Sequence, residues 1–340
     1  MMRNRHQSLP LFLLSALLLA SQPNATAAAA KSPFPVIGYF PSWTGASVGQ
    51  IQFRNLTQVN YSFIGPTMAG GITDPVAPLL SELVAKAHKQ NVKVGVAIGG
   101  WNNGNTAEFE KIGSKPMLRA RFVGHVMDLV DLYRLDVIDI DWEFPNAGSA
   151  DGYAALMSEL GEALHKQGKL LSTAVIAKDD FNGAYIHKEV FGAIDFLNIM
   201  AYDWNWADHA KPHSSFELAD SSLAYWLQRG CPKEKALLGL PFYGRYPETP
   251  YRDLVGREPG ICDKDLVGTV HYNGRPTIRR KTEMAYRKGG GVMIWELTQD
   301  TSDSTSLLSA IHDQILALQS ATATTAGPVT AGPEGPVTGK

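Results

Sequence analysis

The sequence predicts an α/β chain folded as a (β/α)8 TIM barrel. Three observations point there. Eight short apolar runs recur along the chain. Longer stretches with helical spacing separate most of them. The span they occupy, roughly 290 residues, suits one such barrel. Strand followed by helix, many times over, requires parallel strands joined by right-handed crossovers. An open doubly wound sheet is the alternative, but no phosphate-loop glycine pattern follows the first run.

The runs are VIGYF (36–40), VNYSFI (59–64), VKVGVAI (92–98), VIDIDW (137–142), LSTAVIA (171–177), FLNIMAY (196–202), ALLGLPF (236–242) and GVMIWEL (291–297). Each is short and rich in Val, Ile, Tyr or Phe, residues that suit a pleated strand. Between them, 78–90, 116–133, 153–167, 221–230 and 306–318 place apolar residues at helical spacing.

The two ends read differently. Arg3 and Arg5 precede the apolar run LPLFLLSALLLA, and ATA follows at 25–27. That is the pattern of a cleaved secretory signal peptide over 1–30, and it predicts a secreted or periplasmic protein. A membrane anchor is the competing reading. Residues 320–340 are rich in Thr, Ala, Gly and Pro with no large apolar cluster. A segment of that kind buries too little to offset its ordering entropy, so a disordered tail is expected. The barrel is then 31–319. Export to an oxidising compartment would allow Cys231 and Cys262, the only cysteines, to pair. The formal net charge of −2 points to no nucleic-acid or anionic-membrane partner.

The run DVIDIDWE (136–143) carries the chemistry. Side chains alternate faces along a strand, so Asp139, Asp141 and Glu143 share one face, and Ile138, Ile140 and Trp142 the other. In a barrel the apolar set suits the helix layer and the acids point inward, where charge is costly unless paired or protonated. A half-exposed antiparallel strand with its acids in solvent is the plainer alternative. Asp136 is out of phase, near the strand start, and reads as structural. Three inward carboxylates can ligate a divalent metal, or they can shift one another's pKa until the outermost holds a proton. A metal would need further ligands. Asp203 is the one strong candidate, because His209 and His213 read as solvated loop histidines. No metal and no cofactor are therefore expected. Aromatic residues cluster near other strand ends: Tyr39, Trp43, Trp101, Tyr202, Trp204, Trp206, Tyr243 and Trp295. Flat rings beside acids suit sugars, which offer apolar C–H faces and polar rims.

DVIDIDWE resembles the DxxDxDxE signature of family 18 glycoside hydrolases, the chitinase family. GYFPSW (38–43), AIGGW (97–101), MAYD (200–203), LGLPFYGR (238–245) and GVMIWELTQD (291–300) resemble that family's other strand motifs, in order, over about 36–318. The resemblance implies substrate-assisted retaining hydrolysis of β-1,4-linked N-acetylglucosamine polymers. Glu143 would be the acid, Asp141 would orient the acetamido group, and Asp139 would tune Asp141. Tyr202 and Asp203 would hold the acetamido group and the distorted sugar. Trp295 would floor the reacting sugar, while Tyr39, Trp101, Trp204 and Tyr243 would line the site. The expected partner is a polysaccharide or oligosaccharide containing N-acetylglucosamine, met by a monomer. An endo-β-N-acetylglucosaminidase or a peptidoglycan-type hydrolase is the alternative within the fold, and a non-catalytic lectin the one outside catalysis. Two departures stand out. Ala97 replaces the family's usual Ser beside Asp139, leaving Tyr39 as that aspartate's main expected partner. Only about 45 residues lie between LPFYGR and GGGVMIW, too few for the family's full α+β insertion together with a helix.

Overall fold

The structure, a computed structural model, describes residues 34–325 apart from 180, 181 and 259. The expected signal peptide therefore lies outside the described residues. All eight apolar runs form strands: β1 (Val36–Pro41), β2 (Gln58–Ile64), β3 (Lys93–Gly99), β4 (Val137–Asp141), β5 (Leu170–Ile176), β6 (Phe196–Met200), β7 (Ala236–Pro241) and β8 (Gly291–Trp295). Neighbours in sequence pair in parallel, and β8 closes the barrel on β1 with Val36 opposite Val292 and Gly38 opposite Ile294. The helices are α1 (Ala77–His88), α2 (Ala107–Gly113), α3 (Pro116–Tyr133), α4 (Ala150–Lys166), α5 (Lys188–Ala193), α6 (Phe216–Gln228), α7 (Tyr251–Val255), α8 (Arg275–Lys288) and α9 (Leu307–Thr325).

The main core lies between the strands and these helices. On β4, Ile138 and Ile140 face it. Trp142 follows them, stacked on Phe109 of α2 at 5.0 Å and edge-on to Tyr153 of α4 at 5.6 Å. Burying each Ile contributes about 1.5–3 kcal/mol. That holds the strand in register and offsets part of the cost of the acids on its other face. A smaller cluster fills the barrel interior: Tyr39, Ala97 and Met293, with Phe63, Met200, Tyr202 and Trp295 packed against it.

Asp136 sits just before β4 and ties two crossovers together. Its Oδ2 accepts from the Val94 amide of β3 at 2.9 Å and lies 2.8 Å from Nε2 of His88, at the end of α1. Asp195 repeats the device before β6, with the Leu171 amide and His165 of α4 each at 2.9 Å. An acid one residue ahead of a strand thus supplies an acceptor to the edge of its neighbour, at the end of the barrel away from the mouth.

Between β7 and β8 the described residues hold two short antiparallel ribbons (Tyr243–Gly244 with Thr249–Pro250, Leu266–Val267 with Val270–His271), α7 and α8. No separate α+β domain is built among them. The closing helix differs from its expected end. It runs to Thr325, past the boundary set at 319. Small helix-compatible residues continue it, and the hydroxyls of Ser320 and Thr322 donate back to the Leu316 and Leu318 carbonyls. Only 326–340 of the expected disordered tail lies outside the described residues. Cys231 and Cys262 are both buried free thiols, not a disulfide. Among the described residues no helix is long and apolar enough to cross a membrane.

Candidate active site

The ends of β3, β4 and β6 open into a cleft of about 740 Å³ at the barrel mouth. Glycine sets the spacing on one side. Gly99 has φ +118, and a Cβ there would collide with the Asp141 carbonyl. The Gly100 amide donates to that same carbonyl at 2.8 Å. Only a glycine pair lets the end of β3 lie this close to the acidic strand.

The inward acids form a graded column. Asp139, at 0% exposure, lies deepest. Tyr39 donates its hydroxyl to Oδ2 at 2.6 Å. Ser172 and Asn198 donate to Oδ1 at 2.6 and 3.0 Å. Burial raises the Asp139 pKa, and these three donors pull against it. Asp141 comes next. It lines the cleft at 4% exposure, and its Oδ1 is buried without a partner. Burial, then the charges of Glu143 and Asp139, push its pKa far above the usual carboxylate range. Glu143 is outermost and lines the cleft; burial and the charge of Asp203 push it up to about 8. At neutral pH the outer carboxyl therefore carries its proton, which is what a general acid requires. The three acids interact strongly enough to titrate as one system.

Asp203 follows β6 in a left-handed turn, with φ +57. Burial works to raise its pKa, yet hydrogen bonding and charge from His213, the Arg245 guanidinium and the Tyr243 hydroxyl outweigh that and hold it below the usual range. Tyr243 donates to Oδ1 at 2.8 Å and Arg245 to Oδ2 at 2.6 Å. His213 Nδ1 lies 3.2 Å from Oδ1, and its Nε2 is 3.2 Å from the Tyr243 carbonyl. A permanent anion thus stands near Glu143 and helps keep it protonated. Replacing Asp203 by Asn removes that charge, so the Glu143 pKa should fall. The basic limb of a kcat/KM–pH profile is expected to move to lower pH than in the wild type, and an unmoved limb would show that burial alone sets the acid.

Of the expected ring, Tyr39, Trp101, Tyr202, Trp204 and Trp295 line the cleft, as do Trp43 and Trp206. Tyr39 does so with its hydroxyl committed to Asp139. Tyr243, expected to meet the sugar, does not line it. The ring is 2% exposed and serves Asp203 instead. The reading of His213 as a solvated loop residue is also overturned: it is at 0% exposure against Asp203. Burial lowers its pKa, against the pull of the Asp203 carboxylate beside it. Its neighbour Ser214 is held by Lys281 of α8, whose Nζ donates to the Ser214 carbonyl at 2.7 Å and to Asn273 Oδ1 at 2.7 Å. His209, four residues earlier, stays outside this cluster, stacked on Tyr246 at 3.7 Å.

Sequence reasoning missed Phe63, Arg245, Ser172 and Asn198. Phe63 stacks between Trp43 (5.9 Å) and Trp295 (5.5 Å) and lines the cleft. Ser172 and Asn198 lie in runs already read as strands, and extending the two-residue period from Asp139 across β5 and β6 was the available signal. Asp139 pairs opposite Ser172, and Ala174, two residues on from Ser172 and lining the cleft, pairs opposite Asn198.

A closed parallel barrel whose mouth joins a column of buried acids to an aromatic cleft defines a class of barrel suited to sugar chemistry. The chain belongs to glycosyl hydrolases family 18, whose model matches residues 35–300. A probable chitinase 10 of Drosophila melanogaster is 30% identical over 63% of this chain, and the match spans 11% of that relative's length. The crystal structure of a family 18 chitinase, ChiB, from the chitin utilization locus of Flavobacterium johnsoniae superposes with a TM-score of 0.76 at 31% identity, covering 84% of this chain and 94% of that one. A chitinase-like agglutinin of Robinia pseudoacacia has the same fold, with a TM-score of 0.74 at 22% identity over 82% of this chain and 99% of that one.

Proposed function

We propose that this protein is a secreted glycoside hydrolase that cleaves β-1,4-linked N-acetylglucosamine polymers, chitin or chitooligosaccharides, by substrate-assisted retaining catalysis. The observation that carries the reading is the pairing of a protonated Glu143 with an unpartnered Asp141 oxygen in one aromatic cleft. A lone protonated acid can assist many reactions. An acid above a buried, unsatisfied carboxyl suits a substrate that brings its own N–H donor and its own nucleophile.

In this reading a sugar stacks on Trp295, and its acetamido N–H donates to Asp141. The acetamido oxygen attacks the anomeric carbon while Glu143 gives its proton to the glycosidic oxygen. The C–O bond breaks, and the leaving chain departs as an alcohol. The resulting oxazolinium ion carries positive charge beside Asp141. Glu143, now a carboxylate, then takes a proton from water as that water attacks the anomeric carbon from the face the leaving group vacated. The ring opens and the configuration is retained. Tyr202 lines the same floor, its hydroxyl held among the described residues by a 3.7 Å contact to Met293 Sδ and so open to a ligand acceptor.

The exposed rings of Trp43 (60%), Trp101 (63%) and Trp206 (71%) extend the platform outward. Among the described residues no separate domain between β7 and β8 walls the cleft, which supports internal cleavage of a chain. The test is product analysis on chitin, chitohexaose and a glycoprotein glycan side by side. Short chitooligosaccharides from the first two support the reading. Cleavage of the glycan alone would move it to an endo-β-N-acetylglucosaminidase. Because no step passes through a metal ion, turnover should be unchanged in EDTA, and strong inhibition would overturn the mechanism. Sugar binding without hydrolysis is the second reading, favoured by the fold shared with the agglutinin, and lack of turnover on all three substrates would select it.

A further inference from the structure

Asp139 lies between two unlike neighbours. On β3, Ala97 is directly opposite it, and on β5, Ser172 is directly opposite it. Both are at 0% exposure. Ala97 offers only a methyl, packed with Tyr39 and Met293 in the barrel interior. Ser172 offers a hydroxyl 2.6 Å from Asp139 Oδ1, the separation of a hydroxyl donating to an ionised oxygen.

The next residue gives the contrast. Thr173 is also buried, but its hydroxyl is spent on the outer side of the sheet, donating to the Ile140 carbonyl at 2.6 Å and meeting the Tyr153 hydroxyl at 2.9 Å. Of these two consecutive hydroxyls, one stitches sheet to helix and the other reaches into the acid column. Asn198 completes the arrangement. Its Nδ2 lies 3.0 Å from Asp139 Oδ1 and 3.1 Å from the Tyr39 hydroxyl oxygen, so it spans the partners of both carboxylate oxygens.

We propose that Ser172 is a positioning residue for Asp139, supplying from β5 the hydroxyl that position 97 on β3 does not offer. The inference rests on the hydrolase reading above and deepens it. Ser172 touches no substrate, for it lies below the cleft. It acts by keeping Asp139 an anion of fixed orientation, so that the proton of the inner acid pair resides on Asp141 until the oxazolinium forms. As the oxazolinium forms, the Asp141 proton moves to Asp139, which leaves Asp141 the anion beside the positive charge. Ser172 holds Asp139 in the orientation from which it takes that proton, so losing the bond slows the step.

The titratable groups that face Asp139 are Tyr39 from β1, Tyr202 from the end of β6, Tyr153 from α4 and Asp141 on its own strand, with Glu143 and Asp203 beyond Asp141. Burial, first among its causes, raises each of the three phenols, so they stay neutral across the working range. The acid limb of the rate profile therefore reports the Asp139–Asp141 pair. A donor to the carboxylate lowers its pKa, so removing Ser172 raises it.

The experiment compares wild type, Ser172→Ala, Ala97→Ser and the double variant on a chromogenic chitobioside across pH, with a thermal melt of each. Ser172→Ala should lose about tenfold in kcat, the effect of one hydrogen bond to an ionised group, with KM little changed. Its acid limb should shift to higher pH. Ala97→Ser adds a donor from the opposite flank and should shift that limb to lower pH. The double variant should regain both kcat and the position of the limb, which a merely structural role for Ser172 does not foresee. A Ser172→Ala enzyme with wild-type kcat and limb would overturn the proposal. So would a double variant that recovers its melting temperature but not its rate. If wild type turns over neither the chitobioside nor chitohexaose, the hydrolase reading falls and this inference with it. If wild type is active and the variants match it, this inference alone falls.

Discussion

Glu143→Gln is expected to abolish hydrolysis of chitohexaose while leaving its binding within a few-fold of wild type. The substitution keeps the size of the side chain and removes its proton. In the first step of the proposed mechanism Glu143 protonates a glycosidic oxygen that is otherwise a poor leaving group. In the second it takes a proton from water. General acid–base catalysis is worth about 10²–10⁴-fold per step, so kcat should fall by at least about 10³-fold, or about 4 kcal/mol of transition-state stabilisation. In the proposed reading binding rests on other groups that line the cleft, namely Trp295, Trp101, Tyr202 and the rim of tryptophans. Quenching of tryptophan fluorescence by chitohexaose, read in a cleft lined by so many indoles, measures that affinity directly. The fold should not suffer, because Glu143 makes no hydrogen bond with another described side chain and burial already disfavours its charge. Near-normal turnover would remove Glu143 from the chemistry, and loss of binding together with turnover would make it a ligand contact, not the acid.

How much of this site could be read from the chain follows from what each residue answers to. The eight strands were legible because a parallel strand buried on both faces reads as a short apolar run whatever surrounds it. The acid column was legible because a period of two is local: Asp139, Asp141 and Glu143 fall on one face once the strand is granted. His213 was not, since its burial is decided by α8 and the β7–β8 crossover, whose Tyr243 is 30 residues away in sequence. Lys281 shows why α8 itself was hidden. The helix reads RPTIRRKTEMAYRK, and its buried face includes Thr277, Lys281 and Thr282, so its polar pattern conceals which side is inside. A fully buried lysine whose pKa burial drives down to about 7 is held by carbonyl and hydroxyl oxygens that no sequence window brings together.

The same distinction explains Asp139. Position 97 drew attention because a family pattern named it, and its Ala suggested an aspartate short of partners. The barrel gives Asp139 three donors from three different strands. An inward position in a closed barrel is shared by its neighbours on both sides, so the loss of one hydroxyl need not leave a carboxylate unsatisfied. Tyr243 makes the converse point. An aromatic at a strand end was read as a sugar platform, but an adjacent anion can claim its hydroxyl and draw the ring under the floor.

Asp141→Asn is expected to lower kcat by about 10²–10³-fold with a smaller change in KM, a loss comparable to that from removing one oxyanion-hole donor. Asparagine keeps a carbonyl oxygen that can accept the acetamido N–H, so the substrate still finds its orientation. What it cannot supply is negative charge beside the oxazolinium ion. Two unit charges about 4 Å apart at an effective dielectric near 20 attract by about 4 kcal/mol, and the neutral ground state gains none of this. The loss therefore falls on the transition state and the intermediate, which places it in kcat. Asp141→Ala removes orientation as well as charge and should raise KM further, separating the two roles. The rate profile supplies an independent check. Asp141 is raised by burial and then by the charges of Glu143 and Asp139, so in wild type its proton belongs to a coupled system. With Asn at 141 the inner pair becomes a single carboxyl, Asp139, held by Tyr39, Ser172 and Asn198, and the acid limb should follow one group instead of two. A variant that keeps wild-type kcat, or one that loses only KM, would leave the oxazolinium without its counter-charge and would overturn the substrate-assisted route while leaving Glu143 as an acid.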